Sequence, residues 1–239
     1  MKGIVLLSGG LDSTLVLLKM LREGHKCIPI FMDYNQWSLE GEEDAADSVT
    51  TWAGMYTGKN DLGDLGSVIT IQTRWGPMMF ANLGEEKVGS VWGRGIALVG
   101  LAAMWAYTHG DDFEFIALGN HKGDVGPDCK PGAFDASLHD ALIEGTKGQL
   151  DLVLPIRELT VEDIGKELAE FGIPWELMYS CYWYPPCGYK SASDKYLCPG
   201  CRRKAIAMVA AESTDKTLLT RPNSPQRTYQ SDKATPTGY

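Results

Sequence analysis

Residues 8–13, Ser-Gly-Gly-Leu-Asp-Ser, set two hydroxyls, two glycines and one carboxylate between the apolar runs Ile4-Val5-Leu6-Leu7 and Leu15-Val16-Leu17. Glycines let the backbone turn its N–H groups toward an anion, and a helix opening at Asp12 and Ser13 aims its positive end at the same point. Such a loop can hold phosphate. It is not Gly-x-x-x-x-Gly-Lys-Ser/Thr, because the spacing and the lysine are missing, nor is it Gly-x-Gly-x-x-Gly. A bare strand-to-helix turn capped by Asp12 or Ser13 is the alternative. A second group lies late in the chain. Cys181 and Cys187 stand in Ser-Cys-Tyr-Trp-Tyr-Pro-Pro-Cys, and Cys198 and Cys201 in Cys-Pro-Gly-Cys, so four thiols fall within 21 residues. Two of them in Cys-x-x-Cys can face one ion, and four complete a closed tetrahedral zinc site of structural kind. Buried or redox-active thiols, or an iron–sulfur cluster, are the alternatives.

The elements that must position these groups follow from apolar periodicity. Residues 4–7 and 27–32 are short runs with β-branched members and predict strands. Residues 12–23 space Leu15, Leu18 and Leu21 along one face and predict a helix. The alternation continues through 38–56, 68–72, 96–107, 113–118 and 160–171, the last opening on Thr160 as N-cap with Glu162 and Asp163 in its first turn. This pattern predicts an α/β fold with a doubly wound parallel sheet, in which residues 8–10 sit at the carboxyl end of the first strand, where such sheets bind ligands. Polar connections at 57–67, 73–93 and 119–135 exceed what a minimal sheet needs. The expected organisation is a nucleotide-binding α/β domain over 1–175, a four-cysteine segment over 176–212 and a polar tail over 213–239.

The chain of 239 residues carries 22 Lys and Arg against 31 Asp and Glu, a net charge of −9. That balance disfavours duplex nucleic acid as a direct partner, because phosphate tracking needs a concentrated basic surface. No apolar run approaches the roughly 18 residues of a membrane span, and the opening residues do not read as a signal peptide. A cytoplasmic protein acting on small molecules is expected.

Ser-Gly-Gly-Leu-Asp-Ser resembles the pyrophosphate loop of the ATP-pyrophosphatases, enzymes that activate a carbonyl or carboxylate by adenylation. Together with the late cysteines it resembles the 7-cyano-7-deazaguanine synthase family over roughly residues 2–212. Phe31-Met32-Asp33-Tyr34-Asn35-Gln36-Trp37 resembles that family's Phe-Asp-Tyr-Gly-Gln-Arg, and Val91-Trp92-Gly93-Arg94-Gly95 stands where the family has Val-Pro-Ala-Arg-Asn. Gly126 to Phe134 resembles Gly-Tyr-Pro-Asp-Cys-Arg-Pro-Glu-Phe, and Ser180-Cys181-Tyr182 opens the zinc site in both. The order of the motifs also agrees.

The resemblance implies an adenine nucleotide alpha-hydrolase-like, Rossmann-like fold with a helical zinc-binding segment at its end. It implies ATP-dependent conversion of 7-carboxy-7-deazaguanine and ammonia to the nitrile, with ATP, Mg²⁺ and Zn²⁺. Leu7, Ser8, Gly9, Gly10, Leu11, Asp12, Ser13 and Thr14, with Asp33 and Tyr34, are the residues expected at ATP. Ser8, Asp12, Ser13 and Arg94 are expected to be catalytic, while Gln36, Arg94, Asn120 and Asp128 face the substrate. Cys181, Cys187, Cys198 and Cys201 are the residues expected to hold zinc, and a homodimer is expected. The sequence departs from the family where ten residues separate Cys187 from Cys198, and where Asn35, Trp37, Gly95 and Gly132-Ala133 replace the family's Gly, Arg, Asn and Glu. These changes leave room for an enzyme that stops at the amide or passes the deazaguanine to another amine, possibly one on a protein. A catalytically silent nucleotide- and zinc-binding module is the reading from a different class. The cysteines also lie far along the chain from the phosphate loop, so their loss is expected to weaken folding more than ATP binding.

Overall fold

The computed structural model describes residues 1–36, 38–73, 93–110, 112–124, 132–182 and 198–212. Five strands, β1 (Lys2–Leu6), β2 (Lys26–Asp33), β3 (Ile69–Gln72), β4 (Phe115–Ala117) and β5 (Asp151–Val153), form one sheet in the order β3-β2-β1-β4-β5, with every pairing parallel. Among the described residues six α-helices accompany them: α1 (Leu11–Arg22), α2 (Leu39–Asn60), α3 (Arg94–His109), α4 (Ala133–Gly145), α5 (Val161–Phe171) and α6 (Pro199–Glu212). The doubly wound parallel sheet is therefore present.

Alternation along the strands divides the interior into two cores, because successive side chains point to opposite faces. Val5, Leu7, Phe31 and Phe115 pack under α1, α2 and α5, whereas Ile4, Leu6, Ile30, Met32 and Ile116 pack under α3 and α4. Strands buried on both faces must be apolar nearly throughout, which is why the predicted runs 4–7 and 27–32 carry so little polarity. The chain winds from β1 outward to β3 and then returns across the sheet to β4. The strand order thus reverses beside β1, and open α/β sheets bind ligands at the carboxyl ends of strands flanking such a point.

Two expectations needed correction. The helix over 38–56 runs on to Asn60 and ends on Asp61 in the left-handed conformation, so the connection expected at 57–67 is shorter. The polar stretch 119–135 already enters α4 at Ala133, and neither α4 nor β5 was singled out from the sequence. Residues 213–239 lie outside the described residues, as does most of 73–93.

The α5 terminus behaves as its sequence predicts. Thr160 Oγ1 accepts from Asp163 N at 3.2 Å while Asp163 Oδ2 accepts from Thr160 N at 3.0 Å, which satisfies two donors reciprocally. Thr160→Ala is expected to cost about 1 kcal/mol, lowering the melting temperature by about 2–4 °C. A calorimetric scan checks this, and an unchanged midpoint would show that α5 is held by packing alone. That packing is close: a Cβ on Gly165 would lie 2.1 Å from Ala207 O, so α5 and α6 meet backbone to backbone.

Candidate active site

The phosphate loop is built by the exit of β1. Leu7 N donates to Ile30 O and keeps the strand's direction to its end, after which Gly9 takes φ +70° and turns the chain into α1. Only glycine fits there. A Cβ at Gly9 would stand 2.5 Å from Ala45 Cβ and 2.7 Å from Ala46 N, on the face of α2. Gly10 is the N-cap of α1, and no side chain caps that end. The first-turn N–H groups of a helix have no intrahelical acceptors, so they remain available to an anion, with the helix's positive end behind them.

The hydroxyls do something other than cap. Ser13 Oγ donates to Gly10 O at 3.2 Å, accepts from Ser8 N at 3.2 Å, and lies 3.2 Å from Ser8 Oγ. They hold the loop's curvature, which argues against the bare capped turn. Leu7, Leu11 and Thr14 are buried, so what they can offer a nucleotide is main chain. Gly119, two residues past the end of β4, presses on the same turn: a Cβ there would lie 3.1 Å from Ser13 N.

Asp12 is not free. Arg203, on α6, donates to Asp12 Oδ2 at 2.7 Å, and its guanidinium also meets His121 Nε2 and lies 3.9 Å from Asp124 Oδ1. Burial pushes the Asp12 pKa up even though Arg203 and His121 oppose the shift. Burial by itself would lower the Arg203 pKa, but Asp12, Tyr182 and Asp124 together raise it, so the guanidinium stays charged. His121, Asp124, Tyr182 and Arg203 thus join the motif residues at the loop. Arg203 is 191 positions from Asp12, and nothing local marks it.

A second polar group gathers at the end of β2. Asp33 Oδ1 accepts from Asn35 N, which has φ +59°, so Asp33 shapes the turn out of the strand. Gln36 is buried; it accepts from Tyr34 N and donates to Met32 O and Glu42 Oε2. Tyr34 bonds to Arg94, and burial raises the Tyr34 pKa against that pairing. Arg94 opens α3 at its positive end, where a cation is unfavourable by roughly 0.3–1 kcal/mol, a position that helix stability does not explain. Glu42, unremarked in the sequence, is held by Gln36 and Ser38, and its pKa is raised by burial. Asn120 donates to Asp135 Oδ1 at 3.3 Å within a buried group that includes the Asp135–Arg157 ion pair. Asp128 lies outside the described residues.

Three of the four cysteines converge. The Sγ atoms of Cys181, Cys198 and Cys201 all lie within 4.8 Å of one another, and Cys198 and Cys181 are 4.0 Å apart. Sulfurs about 2.3 Å from a tetrahedral ion are separated by about 3.8 Å, so the donor set fits zinc. Cys198 Sγ accepts from Tyr182 N and Cys201 N, and the Cys201 side chain's hydrogen bond holds the Cys198 thiol well below the usual range, as a metal ligand requires. Cys187, the expected fourth ligand, lies outside the described residues. The knuckle is also near the loop in space: Tyr179 N donates to Gly9 O at 3.0 Å, and Arg203 follows Cys201 by two residues. Distance along the chain misled here, for the loop that follows β1 and the knuckle are neighbours.

A family model described as "Queuosine biosynthesis protein QueC" matches residues 2–212. The chain belongs to the QueC family. A 7-cyano-7-deazaguanine synthase of Campylobacter curvus (strain 525.92) is 29% identical over 227 residues, covering 90% of this chain and 96% of that one. Another, of Thermoplasma volcanium, is 31% identical over 189 residues, covering 76% and 78%. Among solved structures, a 4-thiouridine synthetase–RNA complex with bound ATP matches with a TM-score of 0.51 and 14% identity, over 89% of this chain and 53% of that one, which shows the shared fold. As a QueC-family protein the chain is an enzyme of ligase type, with a pyrophosphate-loop fold and a C-terminal cysteine cluster able to hold a metal. Among the described residues of this QueC-family chain, no helix is long and apolar enough to cross a membrane.

Proposed function

We propose that the chain uses ATP to convert 7-carboxy-7-deazaguanine and ammonia into 7-cyano-7-deazaguanine, through an adenylated carboxylate, an amide and an adenylated amide. The observation that carries this reading is the uncapped first turn of α1 beside the Ser8–Ser13 pair at the end of the central strand, in a chain whose relatives are named for the nitrile product. A carboxylate repels nucleophiles and has no leaving group. Adenylation converts one of its oxygens into part of AMP, so that ammonia can add. The same step on the amide oxygen lets AMP leave as the nitrogen loses its protons and the triple bond forms. Two ATP molecules are consumed per nitrile.

The backbone donors of residues 8–13 bind and orient the phosphates, and their fixed dipoles meet charge as it develops there. Mg²⁺, when bound, supplies further neutralisation of the pyrophosphate, with Asp12 and Asp124 as the carboxylates beside which it would sit. Arg94 and Tyr34 take the substrate end, where a guanidinium suits a carboxylate. Gln36 sets the turn that presents them. Asn120 is assigned to the wall of the substrate pocket, and Asp33 to the adenosine side. Zinc, held by Cys181, Cys198, Cys201 and Cys187, maintains the knuckle. The enzyme works as a homodimer in the cytoplasm and binds no duplex nucleic acid.

Mass spectrometry of products from ATP, ammonium and the deazaguanine acid tests the reading. The nitrile with two AMP is expected, and an amide or an amine conjugate as the final product would replace it. Asp128 is assigned to the guanine-like edge, whose donors suit a carboxylate. Asp128→Asn turns an acceptor into a partial donor and leaves buried groups unpaired at about 1–3 kcal/mol each. A loss of tenfold to a hundredfold or more in kcat/KM for the acid follows at about 1.4 kcal/mol per tenfold, with ATP binding little changed. A destabilised variant with normal efficiency per folded molecule would refute that assignment.

A further inference from the structure

We propose that Arg203 is a catalytic residue of the phosphate site, a guanidinium delivered by the metal knuckle that binds the ATP polyphosphate and compensates the pyrophosphate as it leaves. The inference rests on the ATP-dependent reading above and deepens it. Its ground is position. Arg203 is two residues past Cys201, on the first turns of α6, and it reaches the first turn of α1 to donate to Asp12 Oδ2 at 2.7 Å. That turn carries the uncapped N–H groups of the loop, so the cation stands at the mouth of the cradle.

The guanidinium is held from several sides. Cys201 anchors the start of α6 in the cysteine cluster, Lys204 Nζ donates to Met178 O at 2.6 Å, and Ala207 seats the helix on Gly165. The Arg203 side chain is 30% exposed, whereas its neighbour Arg202 is on the solvent side of the helix. A structural counterion for Asp12 would need only one contact. Arg203 instead meets Asp12, His121, Asp124 and Tyr182, and its side chain is still partly exposed. A planar guanidinium fork matches phosphate oxygens in pairs.

In the reaction, the substrate's carboxylate oxygen bonds to the α-phosphorus and the α–β phosphoanhydride bond breaks. Its electron pair departs on the pyrophosphate oxygen, which gains negative charge. Arg203 meets that charge, and Asp12 becomes free to pair with the cation that accompanies ATP. The metal knuckle is thereby part of the nucleotide site rather than a remote brace.

The test compares the wild type with Arg203→Ala, Arg203→Gln and Arg202→Ala. It reads AMP formation, calorimetric binding of inorganic pyrophosphate, melting temperature and zinc content. Arg203→Ala should lower kcat/KM for AMP formation by about 10²–10³, as loss of one transition-state donor does, and weaken pyrophosphate about tenfold, with zinc retained. Arg202→Ala should match the wild type in all four. If Arg203→Ala fails to fold, Arg203→Gln decides, since its amide can still donate to Asp12 but carries no charge. Wild-type pyrophosphate affinity and AMP formation per folded molecule in the Gln variant, whatever its melting temperature, would overturn the proposal and leave Arg203 a counterion. A wild-type enzyme that makes no AMP from ATP and the acid would instead overturn the adenylation reading, and the proposal with it.

Discussion

Asp12→Ala is expected to lower AMP formation by about three orders of magnitude, the upper end of what one lost electrostatic contact at a reacting centre costs. The side chain stands on the first turn of α1 beside the phosphate cradle and is the hub of the Arg203 contact. Removing it also leaves the half-buried guanidinium with one acceptor fewer, at about 1–3 kcal/mol, so the melting temperature falls by several degrees. Asp12→Asn separates the two effects. Its carbonyl still accepts from Arg203, and the fold is kept, but the charge is gone. Chromatographic measurement of AMP with a thermal scan on both variants checks the expectation. Undiminished AMP release from folded Asp12→Asn would remove Asp12 from the chemistry.

Cys198→Ser is expected to prevent zinc binding and to lower the melting temperature by more than about 10 °C, because structural zinc binding is itself folding free energy and each kcal/mol moves the midpoint of a domain this size by about 2–4 °C. Cys198 is the right residue to replace: its sulfur accepts from Tyr182 N and Cys201 N and faces Cys181. The wild type should carry about one zinc per chain. Its removal should lower AMP formation as well as stability, because the Tyr179–Gly9 and Arg203–Asp12 bonds tie the knuckle to the loop. This amends the expectation drawn from chain distance. Iron and sulfide in metal analysis, or a stable and active metal-free protein, would end the zinc reading.

The parts of the molecule written in contiguous residues were legible. Ile4 to Leu7 followed by Ser8-Gly9-Gly10 identified β1 and the loop, since a buried strand and a tight turn are local properties. Thr160 and Asp163 announced the start of α5 for the same reason. The sequence was silent on β5, whose three residues give no period to count. It was also silent on α4, where Phe134, Leu138 and Leu142 keep a helical spacing but follow a long polar stretch. At the site, residue types predicted the anion cradle and the thiol cluster. Arg203 and Glu42 were missed because they reach the site only through packing, α6 against α5 and α2 against the end of β2, while Asp124 is placed by the turn it closes onto His121 N after β4.

The span between Asp12 and Arg203 also bears on how the enzyme comes into being. During synthesis at about 5–20 residues per second, the 191 positions separating them take about 10–40 s to translate. For that interval the loop's first turn lacks its arginine, and Gly9 lacks the tether from Tyr179. Closing so large a loop is slow compared with local contacts, so the N-terminal strands and helices can pair well before the phosphate site is whole. A nascent chain can therefore pair its first strands before Tyr179 and Arg203 are made, and the contacts to Gly9 and Asp12 close only once α6 has been synthesised.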